Sequence, residues 1–215
     1  MRQFPIMGAS SCCLENMLIN EIVLATHNAK KLVELQVLLG DSGIASLSLA
    51  ELPDTIEVVE DGDSFRENAE KKAVQQAVHL DRWCIGEDSG LCVDALKGAP
   101  GIFSARFSGE NATDDLNNQK LVEALEKQKR RSAHYVCHAA ISNPQGEVVF
   151  NAEGKCFGEI RLTPSGEGGF GYDPYFEVRE YGLTMAELGN HVKSVISHRA
   201  KAMREVTRFL TTVHQ

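Results

Sequence analysis

The stretch WCIGEDSGLCVDALKGAPGIFSARFSG, Trp83 to Gly109, decides how the chain is read. It opens with a short apolar run, Trp83-Cys84-Ile85, expected to form a buried strand that stops at Gly86. Glu87 and Asp88 follow at once, then Ser89 and Gly90. Carboxylates at the end of a buried strand are costly unless something positive meets them. Successive strand residues point to opposite faces, so only one of the two can easily serve a given site. Beyond them Gly90, Gly98, Pro100 and Gly101 are too many breakers for one regular element. Arg106 then sits among small and apolar residues. Two readings fit this stretch by itself: a turn built on a buried Asp–Arg pair, or a metal or phosphate site.

Composition narrows the choice. The chain has 215 residues, with 22 Lys and Arg against 30 Asp and Glu, a net charge of −8. That length suits one domain, or two lobes sharing a sheet. Such a charge provides no general field for nucleic acid or an anionic membrane. No apolar run approaches the roughly 20 residues that cross a bilayer. A phosphorylated ligand would therefore need local cations and a divalent metal. The six cysteines (Cys12, Cys13, Cys84, Cys92, Cys137 and Cys156) show no zinc-ligand spacing, and several lie in apolar segments as free core thiols. A reducing cytoplasm fits them best. Residues 1–16 lack the apolar centre of a secretory signal and are expected to be a disordered tail, with Met17 as an alternative start. Residues 17–215 are expected to form a single two-lobed domain.

Upstream of the central stretch, Ile22 to Ala25 reads as a buried strand. It runs into Thr26-His27-Asn28-Ala29-Lys30-Lys31, after which Leu32, Leu35, Leu38 and Leu39 recur at helical spacing. Thr26 and Asn28 are both candidate caps. A strand, a polar turn and a helix start bearing lysines form an anion site, since free N–H groups point at the ligand; a capped helix with surface lysines has the same pattern. Glu51 to Asp63 is acidic and irregular, with Glu60, Asp61 and Asp63 around Gly62, as in a solvated loop. Ser64 and Glu67 form a capping box opening a helix that buries Ala73, Ala77 and Leu80.

Downstream, Thr113 or Asp114 caps a helix with Leu121 and Leu125 inward. A strand from His134 to Ser142, a type I turn at Asn143-Pro144-Gln145-Gly146 and a return strand from Glu147 to Phe150 make a hairpin, and Lys155 to Arg161 reads as a third strand. Gly166 to Pro174 is glycine-rich around Phe170 and Tyr172, a composition that lets backbone approach a ligand beside aromatic faces or simply makes a loop. Thr184 and Glu187 form a second capping box. Ser197 caps the last helix, whose inner face is Met203, Val206, Leu210 and Val213. His198 and Arg199 fall in its first turn, with Lys193 just before. Positive groups there oppose the helix dipole unless an anion or polar ligand meets them.

Five segments together resemble the inosine/xanthosine triphosphate pyrophosphatase family: LATHNAKKLVEL (Leu24–Leu35), SFRENAEKKA (Ser64–Ala73), EDSGLCVDALKGAPGIFSARFSG (Glu87–Gly109), GGFGYDPYF (Gly168–Phe176) and KSVISHRAKAM (Lys193–Met203). They occur in family order and span the chain from about Leu18 to its end. Within that family Glu87 is often a second Asp, and His27 stands where some members have Gly. The resemblance implies an elongated α/β fold, a long mixed sheet with helices and two lobes flanking a nucleotide cleft, assembled as a homodimer. It implies that Thr26, His27, Asn28, Ala29, Lys30 and Lys31 hold the triphosphate, with Lys31 the principal cation. Glu60 and Asp88 would hold Mg²⁺, Asp88 standing at the general-base position beside Glu87, and Ser89 would touch the phosphates. Phe170, Gly171, Tyr172, Asp173, Lys193, His198 and Arg199 would form the base and sugar pocket. The implied reaction is hydrolysis of deaminated purine triphosphates (ITP, dITP, XTP) to monophosphate and pyrophosphate. Two rival readings stay open: a related hydrolase of modified pyrimidine triphosphates, and a nucleotide-sensing module without catalysis.

Overall fold

A computed structural model describes residues 19–214; the expected tail over 1–16 and the Met17 start lie outside the described residues. Seven strands form one mixed sheet in the order β2-β1-β3-β4-β5-β6-β7. β1 (Glu21–Leu24) runs parallel to β2 (Ala45–Ser48) and to β3 (Cys84–Val93). From β3 onward, through β4 (Ser132–Ser142), β5 (Val148–Ile160), β6 (Phe176–Val178) and β7 (Leu183–Thr184), every pairing is antiparallel. The mixed α/β class expected from the sequence is the class observed.

The helices sit where the apolar periodicity puts them. α1 (Ala29–Leu39) buries Leu32, Leu35 and Leu39, and Asn28 is its cap, accepting the Lys30 N–H at 3.0 Å. Thr26 caps nothing directly; its hydroxyl accepts the Asn28 N–H at 3.2 Å. α2 (Phe65–Leu80) starts at Ser64, which accepts the Glu67 N–H, while Glu67 reaches back to Asp63. α3 (Asp114–Leu125) is capped by Thr113. α5 (His198–Val213) is capped by Ser197 and buries Ala200, Ala202, Met203, Val206 and Leu210. Among the described residues no helix is long and apolar enough to cross a membrane.

Four expectations need correction. The central strand does not stop at Gly86; β3 continues through Glu87, Asp88 and Ser89 to Val93. Gly86 serves close packing there, since a Cβ would lie 2.1 Å from the Ala69 carbonyl oxygen of α2. The strands expected over Glu147–Phe150 and Lys155–Arg161 are one continuous β5. Its Gly154 lets α5 approach, where a Cβ would meet the His198 carbonyl oxygen at 2.1 Å. The Thr184–Glu187 box makes both of its reciprocal bonds but closes a turn, and the next helix, α4 (Gly189–Ile196), begins two residues later and carries Lys193. No Asp–Arg pair forms at Arg106, which is exposed and donates to the Glu60 carbonyl at 3.3 Å.

Two apolar clusters lie along the long strands. One gathers Ile22, Leu24, Leu35, Ile85, Ile141, Met203 and Leu210 between the sheet, α1 and α5. The other gathers Leu91, Leu121, Tyr135, Ile160, Phe176 and Met185. β3, β4 and β5 run through both. Burying these surfaces at about 25 cal/mol per Å² supplies the drive that holds the helices to the sheet. What lies between the two on β3 is Gly86 to Gly90, with Glu87, Asp88 and Ser89 at its centre.

Candidate active site

β1 pairs with β3 only as far as Leu24↔Ile85. β3 continues for eight residues past that point, so its edge on that side loses its strand partner as Glu87 begins. A cleft opens there, at the carboxyl end of a parallel strand, the usual place for a ligand in open α/β sheets. Its volume is about 600 Å³, and Thr26, His27, Lys31, Glu60, Lys72 and Glu87 contribute to its walls. Three clusters of charge bear on the site, and side chains of the first two line this cleft.

The first centres on Glu87. Strand alternation turns this side chain toward α1 and α5, where Lys31 Nζ lies 2.6 Å from Oε1 and Arg199 Nε donates to Oε2 at 2.8 Å. Only 4% of the Glu87 side chain is exposed. Burial would push its carboxyl up, but Lys31 and Arg199 outweigh that and hold it below the usual range. Arg199 also bonds Glu34 and donates to the Lys31 carbonyl at 3.1 Å. The cost of a cation at the start of α5 is thus offset by the protein's own carboxylates.

The second centres on Asp88, on the opposite face, under α2. Asn68 Nδ2 donates to it at 3.1 Å, Lys72 Nζ stands 3.9 Å away, and the same ammonium is 2.9 Å from Glu60. Burial raises the Asp88 pKa, Lys72 and Asn68 oppose the rise, and Glu60 adds to it. The two carboxylates are therefore close enough to repel and already share one cation. Hard oxygen donors in a pair suit Mg²⁺, which takes one or two carboxylates and completes its shell with waters and phosphates. Among the described residues no group of three or more His, Cys, Asp or Glu is assembled.

The third centres on Asp173 in the glycine-rich loop. It accepts from Lys193 Nζ at 2.6 Å, from the Phe170 N–H at 3.1 Å and from the Tyr135 hydroxyl at 3.3 Å. Phe170 is 78% exposed, with Lys193 Nζ 5.5 Å from its ring centre. His198 stacks on Tyr135 at 4.8 Å, and burial drives its pKa down to about 3. Tyr172 is buried and gives its hydroxyl to the Ser104 carbonyl, so its part is to fix the loop. His27, Asn28, Ala29, Lys30 and Ser89 are exposed, and His27 lines the cleft.

Asn68, Lys72 and Tyr135 join the site in addition to the residues expected from the sequence. Asn68, Lys72 and Gln76 recur every four residues on α2, and Asn68 and Gln76 are nearly fully buried. A polar row on the inward face of an amphipathic helix is the signal that could have found them. Tyr135 carries none, since an aromatic in a core strand is ordinary packing.

The neutral state of His198 has a measurable consequence. Unfolding restores its ordinary pKa near 6.5, so between about 6.5 and 3 the unfolded chain binds the extra proton. Its share of stability is complete above that window and is lost as pH falls through it. His198→Phe keeps the stacking ring and cannot charge. The slope of melting temperature against pH between about 6.5 and 4.5 should be shallower in this variant than in the parent. Equal slopes would mean that the ring protonates freely in the folded protein.

The sequence model of the Ham1 family matches residues 22–209. A dITP/XTP pyrophosphatase of Rhodopirellula baltica is 50% identical over 186 residues, covering 86% of this chain and 89% of that protein. One from Desulforamulus reducens is 46% identical over 196 residues, covering 90% and 97%. Among solved structures, a HAM1 protein from Coxiella burnetii superposes with a TM-score of 0.85 at 41% identity, covering 91% of this chain and 100% of that one.

Proposed function

Because the chain belongs to the Ham1 family, we propose that it hydrolyses deaminated purine nucleoside triphosphates (dITP, XTP and ITP) to the monophosphate and pyrophosphate, clearing them from the nucleotide pool. The observation that carries this reading is the pairing, around one cleft, of a lysine-bearing helix start with a carboxylate pair that gathers a cation.

In this reading the turn Thr26–Lys30 and Lys31 bind the triphosphate, the backbone at the start of α1 adding its positive end. Asp88 and Glu60 would hold Mg²⁺, which when bound spreads phosphate charge and favours attack by water. Asp88 orients that water and takes up or positions its proton. Glu87 stays charged and keeps Lys31 and Arg199 in place. Phe170 offers its face to the purine, and Asp173 and Lys193 hold the loop that carries it. Arg199 has five N–H donors and no acceptor. Its bonds to Glu87, Glu34 and Lys31 leave one N–H on each terminal nitrogen for the 6-keto oxygen of hypoxanthine or xanthine, which adenine lacks. A homodimer in the cytoplasm belongs to the same proposal. The free thiols Cys84, Cys92, Cys137 and Cys156 suit a reducing compartment.

The test follows the oxygen. With ITP and Mg²⁺ in ¹⁸O water, the label should enter the monophosphate, because attack is at the α phosphorus, and EDTA should abolish turnover. ITP and XTP should be consumed far faster than ATP. Orthophosphate as first product, or label only in pyrophosphate, overturns the reaction. Preference for a pyrimidine triphosphate would overturn the substrate class.

A further inference from the structure

Phe170 is exposed, yet the main chain beside it is fixed from two directions. On one side Asp173 accepts its N–H at 3.1 Å. On the other, α3 reaches across to Gly171: Asp114 Oδ2 accepts the Gly171 N–H at 2.7 Å, and Asn118 Nδ2 donates to the Gly171 carbonyl at 2.9 Å. Asp114 and Asn118 are four apart on one helix, so they share a face and stand one turn from each other. Together they take up both main-chain hydrogen-bonding groups of a single glycine. That glycine has φ +58, a conformation an L side chain rarely adopts. Asn118 is only 6% exposed, so its bond is not a surface accident. α3 is itself tied down: Asn117 bonds the Ser104 and Ala105 carbonyls and the Ser108 N–H, and the Tyr172 hydroxyl meets the same Ser104 carbonyl.

A loop containing Gly166, Gly168, Gly169 and Gly171 has much conformational freedom to lose on binding, and that loss subtracts from affinity. Clamping Gly171 removes the freedom before the ligand arrives. We infer that Asn118 and Asp114 are positioning residues that preset the Phe170 ring as a platform for the purine, an inference that rests on the reading of Phe170 as the stacking residue. Neither side chain needs to touch the nucleotide. A stacking platform serves ground state and transition state alike, so its disturbance should appear in KM and spare kcat.

The experiment is a double-mutant cycle read in KM and kcat for ITP on the full chain. Phe170→Ala should raise KM about tenfold, the scale of base–aromatic stacking. Asn118→Ala should raise KM about three- to tenfold with kcat within about twofold. In the Phe170→Ala background, Asn118→Ala should add almost nothing, because the ring it positions is gone. Asp114→Ala, at an exposed first turn, gives the same cycle should Asn118→Ala fail to fold, and Asp114→Asn, which keeps an acceptor, should restore KM. An unchanged KM in Phe170→Ala overturns the stacking reading and with it the inference. A raised KM in Phe170→Ala, with the α3 substitutions costing the same factor in both backgrounds, overturns the inference alone and leaves the stacking reading standing.

Discussion

Asp88→Asn is expected to lower kcat for ITP by about 10²-fold or more, the scale of a lost base or metal carboxylate, while the protein melts at the same temperature or higher. The two halves of that expectation come from one observation. Asp88 lies under α2 with its pKa raised by burial, Lys72 and Asn68 only partly compensating and Glu60 adding to the rise. A raised carboxyl pKa means the fold holds the charged form at a cost, so a neutral isostere relieves that cost at pH 7. Lys72 keeps Glu60 as a partner at 2.9 Å, so no cation is stranded. Carboxylates kept charged against their environment are found where chemistry requires them. Steady-state kinetics and a melting curve on the same preparation check both signs. A kcat within about fivefold of the parent would remove Asp88 from the chemistry, and a clear drop in melting temperature would make it a structural anion.

Much of this site is legible in the sequence, and two of the misreadings have a common cause. Strand, polar turn and lysine-bearing helix at Leu24–Leu35 follow from local periodicity and capping alone, and they stand as read. Alternation puts Glu87 and Asp88 on opposite faces, which is what their different partners require. Those two misreadings fall at glycines inside strands. Gly86 looks like a stop in one dimension because glycine usually marks turns, and Gly154 falls in the gap between the strands expected over Glu147–Phe150 and Lys155–Arg161. In the fold each admits a helix backbone to the sheet, α2 at Gly86 and α5 at Gly154. That reason depends on residues far away in the chain, so no local window contains it. The Thr184–Glu187 box failed differently: its two hydrogen bonds are real, but a tight turn satisfies them as well as a helix does.

The same distance in sequence hides the partners of the charges. Lys193, His198 and Arg199 looked like cations and a titratable ring at a helix start in need of an anion. Each has a separate answer: Asp173 for Lys193, Glu87 and Glu34 for Arg199, and neutrality for His198. Arg199 meets Glu87 across 112 positions of sequence. A sequence shows that such a charge must be met, and the packing of α5 on β4 and β5, which brings Arg199 to Glu87, decides by what.

Glu87→Ala should be the most destabilising change at the site, by about 3 kcal/mol or more, the range for breaking a buried ion pair from one side. The physics is the reverse of that at Asp88. The Glu87 pKa is lowered, because two cations outweigh the effect of burial, so the fold favours the charged form. Removing it leaves Lys31 and Arg199 facing each other across an 11%-exposed guanidinium. Arg199 retains Glu34, and Lys31, about a third exposed, can turn toward solvent, which keeps the loss near the lower end of the range. Glu87→Gln preserves shape and acceptor and should cost less, with kcat less affected than in Asp88→Asn. Acid should reproduce part of the effect in the parent protein. The contribution of Glu87 is complete above its unfolded pKa of 4.5 and is lost as pH falls through its lower folded value. Denaturant unfolding at pH 7 and at pH 4 separates these cases: the gap between parent and Glu87→Gln should narrow as the carboxylate titrates. A gap of the same size at both values would show that Glu87 acts through packing, with its charge contributing nothing.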